Sequence, residues 1–250
     1  LEKENLVTNK ENYIDYILKN LSLDINLNYF CSLGCLGCNR LLGFKQYFDK
    51  NVSLEQIDCV LKESIALDIH WKHIRLSGGE PTLHQDILKI VQHLCHYKDK
   101  HNTELQIVTN GFSHITKNII KKLSKYPIEI RNSNKNKTAG DTEDFYSHCV
   151  CPSDVNMKSN IQLLKCEKPH ECGILLDVSG YYICHMAATI EMYFNLLRAG
   201  KTLSSMLTRK EILNQINSYC QYCGNVCNPK FKKEFMSNKW ICQLIKKKIL

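Results

Sequence analysis

The sequence has no run of about 18 uncharged apolar residues, the length a membrane-spanning helix needs. Its most apolar stretch, Gly173 to Leu197, is broken by Asp177, His185, Glu191 and Asn195. Residues Leu1 to Lys10 lack the apolar core of a signal peptide, so a soluble, unsecreted chain is expected. With 5 Pro and 11 Gly in 250 residues, and no internal repeat, fibrous and low-complexity chains are excluded. No G-x-S-x-G, phosphate-loop or H-E-x-x-H pattern supports a hydrolase or a nucleotide-hydrolysing enzyme. His70, His73 and His84 fall in no ligand pattern, and His185 reads by default as a half-buried, satisfied side chain.

The charge balance is basic: 33 Lys+Arg against 25 Asp+Glu, a formal +8. Those cations are scattered, and the dense clusters are Lys232–Lys233, Lys246–Lys248 and the loop around Lys135 and Lys137. This distribution reads as a solvated surface, not a nucleic-acid face. Cysteine is the abundant residue, 14 in all. That is below the roughly 8–10% that marks a disulfide scaffold, and so many thiols in a reducing compartment point to metal. The expected location is the cytoplasm.

Apolar spacing over residues 1 to 21 (Tyr13, Ile14, Ile17, Leu18, Leu21) predicts a helical extension, and the alternation of Leu23, Ile25 and Leu27 predicts a strand ending at Phe30-Cys31. Ser53 with Gln56 predicts a capping box that opens a helix through Ile57, Val60, Leu61 and Ile65. Strands are expected at His73–Leu76, Leu105–Thr109 and Pro127–Ile130, with helices over Ile87–Leu94 and Ile115–Leu123. Such βα alternation implies a parallel sheet or partial barrel with its chemistry at the C-terminal strand ends. Asn132 to Asp144 is polar and reads as a loop, and beyond it the cysteine density rises.

Cys31-Ser-Leu-Gly-Cys35-Leu-Gly-Cys38 puts three thiols within eight residues, with glycines that let the chain turn them toward one centre. Structural zinc takes four protein ligands, so three thiols leave a site open. The C-x3-C-x2-C spacing resembles the signature of the radical S-adenosylmethionine (SAM) superfamily. Leu76-Ser-Gly78-Gly79-Glu80-Pro81, at the second strand's end, resembles its GGEP motif, and Val108-Thr109-Asn110-Gly111 resembles a further element near the cofactor. The resemblance spans about residues 23 to 134. It implies a [4Fe-4S] cluster on Cys31, Cys35 and Cys38, whose open iron chelates SAM. It places Gly78, Gly79, Glu80, Pro81, Thr109, Asn110 and Ser133 at the cofactor, Glu80 as acceptor for the SAM ammonium and Ser133 at the ribose. Where the family has an aromatic before the last Cys this chain has Gly37, so Phe30 or Phe44 is expected to stack on adenine. The implied chemistry is reductive cleavage of SAM to a 5′-deoxyadenosyl radical that abstracts hydrogen from an unactivated C–H bond.

The later cysteines, Cys166, Cys172, Cys184, Cys220, Cys223, Cys227 and Cys242, resemble the auxiliary-cluster extensions called SPASM and twitch. That resemblance implies one auxiliary [4Fe-4S] cluster on Cys172, Cys184, Cys220 and Cys223, with Cys166 and Cys227 as substitutes. Two clusters, or a structural zinc, are the alternatives. Cys149 and Cys151 either pack in the core or face the active site, where Cys149 would return a hydrogen atom to a substrate radical. Cys59 and Cys95 are expected in the core.

The expected architecture is α/β: an N-terminal helical extension (1–21), a partial (β/α)6-type TIM barrel carrying the radical SAM site (22–150) and a small cysteine-rich auxiliary-cluster domain (151–250). The expected activity is SAM-dependent hydrogen abstraction from a small polar substrate of sugar, aminocyclitol or nucleoside type, with dehydrogenation or epimerisation. An electron donor such as flavodoxin or ferredoxin is implied. The alternatives are modification of a ribosomally made peptide or protein, disfavoured because only about thirty residues precede Cys31, and a non-catalytic iron–sulfur or zinc protein.

Overall fold

The computed structural model describes residues 10–33, 35, 38, 40, 50–133, 149–155, 166–226 and 236–247. Helix α1 (Lys10–Lys19) leads into strand β1 (Leu23–Asn26). There follow α2 (Leu54–Ala66), β2 (His73–Ser77), α3 (Ile87–His101), β3 (Glu104–Thr109), α4 (His114–Leu123) and β4 (Glu129–Asn132). After them come a single helical turn α5 (Lys168–Glu171), β5 (Ile174–Asp177), β6 (Gly180–Tyr182), α6 (His185–Phe194), α7 (Leu203–Met206), α8 (Arg209–Tyr219) and α9 (Asn238–Lys246). The six strands make one sheet in the order β4-β3-β2-β1-β5-β6, parallel except for the antiparallel β5–β6 pair, as in a partial barrel.

The capping box forms as expected: the Ser53 hydroxyl accepts from Gln56 N at 3.3 Å and Gln56 Oε1 accepts from Ser53 N at 3.1 Å. The α2 face is set by Ile57, Val60, Leu61 and Ser64, whereas Ile65, expected inside, is 57% exposed. Ser64 is the residue two turns on from Ile57. It enters the core because its hydroxyl donates to Val60 O and accepts from Trp71 Nε1, which satisfies both polar groups. Cys95 is buried as expected, but Cys59 is exposed. β4 starts two residues later than expected, at Glu129.

All four residues of β1 are buried, yet they alternate in kind. Leu23 and Ile25 belong to the apolar core with Ile57, Val60, Ile74, Leu76 and Leu94. Asp24 and Asn26 share the opposite face with their register partners Arg75 and Ser77 on β2. The barrel interior beside β1 is therefore polar, with Asp24 paired to Arg75 and Ser77. β5 joins this sheet beside β1, in register from Leu23↔Ile174, so the boundary expected near residue 150 does not divide the sheet. No described helix is long and apolar enough to cross a membrane.

Candidate active site and metal centres

The C-terminal strand ends open into a cleft of about 670 Å³. Cys31, Cys35 and Cys38 all line it, as do Gly78 and Gly79 after β2, Thr109 and Asn110 at the end of β3, and Ser133 after β4. The Cys31 sulfur accepts from Leu33 N at 3.4 Å and from Asn110 Nδ2 at 3.6 Å. Burial pushes the Cys31 thiol up to about 11, and Glu80, Cys38 and Cys35 add to the effect. Thiols crowded this way resist ionising alone and ionise readily on a cationic metal.

Glu80, expected as the acceptor for the SAM ammonium, is bonded within the protein. It is fully buried and absent from the cleft wall. Its Oε1 accepts from Thr82 N, Thr82 Oγ1 and Thr109 Oγ1 at 3.2, 2.7 and 2.7 Å, and its Oε2 accepts from Asn110 N at 2.7 Å. Those four donors fill the acceptor sites of a carboxylate. Glu80 thus ties the end of β2 to the end of β3 and so positions Asn110 against Cys31. Pro81 starts a buried 3-10 turn behind it and does not reach the cleft. Ser133 reaches the cleft while its hydroxyl donates to Thr109 O at 3.0 Å. Phe30 is 45% exposed and off the cleft wall; Phe44 and Gly37 lie outside the described residues.

Four later thiols converge elsewhere. Cys166, Cys184, Cys220 and Cys223 line a second, apolar-walled pocket with Tyr13, Ile183 and Tyr219. Burial raises all four, Cys184 to about 12, and neighbouring thiols of the set reinforce the rise at Cys184, Cys220 and Cys223. Cys184 caps α6, and backbone N–H groups of Met186 and Ala187 offset part of its shift. Asn225 Nδ2 donates to the Cys166 sulfur at 3.5 Å. Among the described residues, no three of these sulfurs lie within 4.8 Å of one another.

Cys172 is not in this set, contrary to expectation. It caps the C-terminus of α5. That turn separates it from Cys166 and delivers it to the first cleft. There its sulfur, an Asp24 carboxylate oxygen and a His185 ring nitrogen lie within 4.8 Å of one another, all three residues buried. Gly173 fixes the geometry next to it: at φ +80 a Cβ there would sit 2.0 Å from Ser22 O. Cys149 and Cys151 are buried against Ser237, whose hydroxyl accepts from Cys151 N at 2.7 Å, and neither lines the cleft. The expected role of Cys149 as a hydrogen donor has no geometric support. Cys227 lies outside the described residues.

The strands also bring in residues the motifs did not flag. Asp24, completely buried, accepts from Arg75 Nη2 at 2.6 Å and from Ser77 Oγ at 2.5 Å, with Arg40 Nη2 at 3.9 Å. Arg40, Arg75, Arg131 and Lys168 make the cleft basic. The Arg75 Nε donor is buried without a partner among the described residues. Charged residues at inward-facing positions of otherwise apolar strands were the available signal.

The radical SAM superfamily profile matches residues 25–131. Residues 25–131 are a radical SAM domain. Its cofactors are a [4Fe-4S] cluster and SAM. Within it the chain is 31% identical over 102 residues to "Probable GTP 3′,8-cyclase" of Methanocaldococcus jannaschii, covering 41% of this chain and 32% of that protein. It is 33% identical over 93 residues to the protein of the same name in Pyrococcus horikoshii, covering 36% and 26%. The match thus spans about a third or less of the length of these curated relatives. The likeness of fold extends further: the crystal structure of BtrN in complex with AdoMet and 2-DOIA superposes with TM-score 0.57 at 14% identity, covering 86% of this chain and 96% of that one.

Proposed function

We propose that the chain is a SAM-dependent radical enzyme acting on a small polar substrate of sugar, aminocyclitol or nucleoside type, with an auxiliary [4Fe-4S] cluster. The observation that carries this reading is the shared cleft, with the three-thiol site at one end and a polar, basic barrel interior at the other. Cys31, Cys35 and Cys38 hold the SAM cluster; Cys166, Cys184, Cys220 and Cys223 hold the auxiliary one. When bound, the SAM cluster and SAM supply one-electron chemistry that removes hydrogen from carbon.

The chain's own residues position the reactants. Asn110 and the Leu33 N–H stabilise the Cys31 thiolate by donating to it. Gly78 and Gly79 let a ligand approach the backbone at the cleft wall. Asp24 holds the Arg75 guanidinium at the cleft wall, where the Cys172 sulfur also faces it. The relatives named for GTP and the fold neighbour holding 2-DOIA agree with a polar substrate. The electron enters from a flavodoxin- or ferredoxin-type protein. The N-terminal helix, the barrel from about residue 22 and the cysteine-rich region after about residue 150 act as one unit, because β5 and β6 complete the barrel sheet.

The test is anaerobic reconstitution with iron and sulfide counted per chain and electron paramagnetic resonance recorded with and without SAM. About eight iron with a SAM-responsive signal is the expected result for two clusters. About four iron would remove the auxiliary cluster, and a signal indifferent to SAM would overturn the assignment of the cleft.

A further inference from the structure

We propose that Tyr13 lowers the reduction potential of the group held by Cys166, Cys184, Cys220 and Cys223, by sealing their pocket against water, and that Asn225 raises it. This rests on the auxiliary-cluster reading above and adds what the chain does to that cluster. Tyr13 stands 153 residues before Cys166, yet its side chain lines the four-thiol pocket, is 6% exposed and donates from its hydroxyl to Cys166 O at 2.8 Å. Burial pushes its phenol up, and the Cys166, Cys220 and Cys184 thiols add to the rise, as expected of a side chain facing three of the four sulfurs. The helix that carries it is held on both flanks of the pocket. Tyr16 packs edge-on against His170 of α5, with ring centroids 3.9 Å apart, and Asp15 pairs with Arg209 at the start of α8. Since α5 follows Cys166 and α8 ends just before Cys220, α1 bridges the two segments that bring the thiols together.

The sign of each effect follows from charge. Reduction of a four-thiolate cluster, [4Fe-4S]2+ plus one electron from the flavodoxin- or ferredoxin-type donor giving [4Fe-4S]+, adds a negative charge with no ligand or proton exchanged. Water stabilises that charge and an apolar shell does not, so a dry pocket disfavours the reduced state. Tyr13 gives its hydroxyl proton to a backbone carbonyl, so it excludes water without donating to sulfur. Asn225 acts in the other direction: its Nδ2 donates to the Cys166 sulfur at 3.5 Å, and such a bond strengthens as the sulfur gains charge. Both are positioning residues, acting on the cluster through its surroundings.

The test is an anaerobic redox titration of the reconstituted protein followed by electron paramagnetic resonance. The signal indifferent to SAM reports this site, and the SAM-responsive signal is the internal control. Tyr13→Ala is expected to raise the ratio of reduced to oxidised cluster at a fixed potential by about tenfold or more, which is about 59 mV for one electron. Tyr13→Phe keeps the ring and should change the ratio by less than about threefold, while Asn225→Ala should lower it. The SAM-responsive signal should titrate as in the wild type throughout. An unchanged midpoint in Tyr13→Ala, or an equal shift of both signals, would overturn the sealing role. So would a shift in Tyr13→Phe as large as that in Tyr13→Ala, since it would assign the effect to the hydroxyl. An unchanged or raised midpoint in Asn225→Ala would overturn the role of Asn225. If Tyr13→Ala holds no iron at this site, Tyr13→Leu replaces it, with a shift in the same direction expected and an unchanged midpoint overturning the proposal equally. A wild type without a SAM-indifferent cluster would overturn the auxiliary-cluster reading itself.

Discussion

The two thiol sites differ in number, in enclosure and in how the chain assembles them. The first takes three cysteines from eight consecutive residues and sets them on the wall of an open, polar cleft. The second gathers four from the start of α5, the cap of α6 and the end of α8, behind Tyr13, Ile183 and Tyr219. Three ligands on an open wall leave coordination for a small molecule, and four ligands in an apolar shell leave none. The closed site therefore offers a bound group no open position toward substrate. Its closeness to the cleft is structural: Cys184 faces the closed pocket, its neighbour His185 faces the cleft, and Lys168 borders both.

The largest effect is expected of Cys31→Ala/Cys35→Ala/Cys38→Ala. It should abolish SAM cleavage while leaving about four of eight iron in place, since the second site shares none of its ligands. Iron analysis and 5′-deoxyadenosine production check this; a variant holding no iron would make the later thiols structural or zinc-binding. The next contrast is between two cysteines six residues apart. Cys166→Ala should cost about four iron and leave the SAM-responsive signal. Cys172→Ala should cost no iron. If the losses are reversed, the α5 turn does not partition the two thiols as described.

That pair also shows where sequence reasoning stopped. The open site was legible because its three cysteines lie within eight residues after a strand and, with Gly78-Gly79-Glu80-Pro81, resemble a family signature. For the closed site, spacing carried no such information, as Cys166 and Cys172 both precede Cys184 at plausible distances. A four-residue helical turn and a glycine at φ +80 decide between them, and both act through three-dimensional direction. The βα order of the first four strands was legible through periodicity. β5 and β6 were not, because Ile174–Leu176 and Tyr181–Tyr182 are apolar stretches too short to show alternation. The enclosure of Glu80 was not legible for a related reason: a motif names the residue but not the donors that surround it.

A smaller effect separates the cleft's floor from its rim. Asp24→Ala would leave Arg75 buried without its counter-charge, and breaking such a pair costs about 3–5 kcal/mol. Chemical denaturation of the reconstituted protein should show that loss, and a change under about 1 kcal/mol would mean that Arg75 relaxes to solvent.

The smallest effect falls on the rim, at Gly78. Its φ of +150 disfavours any side chain, and a Cβ there would stand 2.8 Å from Asn28 O. That carbonyl already accepts from Gly79 N at 2.8 Å, while Glu80 N donates to Phe30 O at 2.7 Å and Asn28 Nδ2 donates to Glu80 O at 3.0 Å. The glycine pair is thus laced to the segment that enters the cysteine loop, so a shift at one moves the other. Gly78→Ala should cost about 1–3 kcal/mol in stability. It should also weaken SAM binding, measured by the SAM-induced resonance change, while iron at the closed site stays constant. Loss of iron from both sites in this variant would mean that the open and closed centres form one cooperative unit.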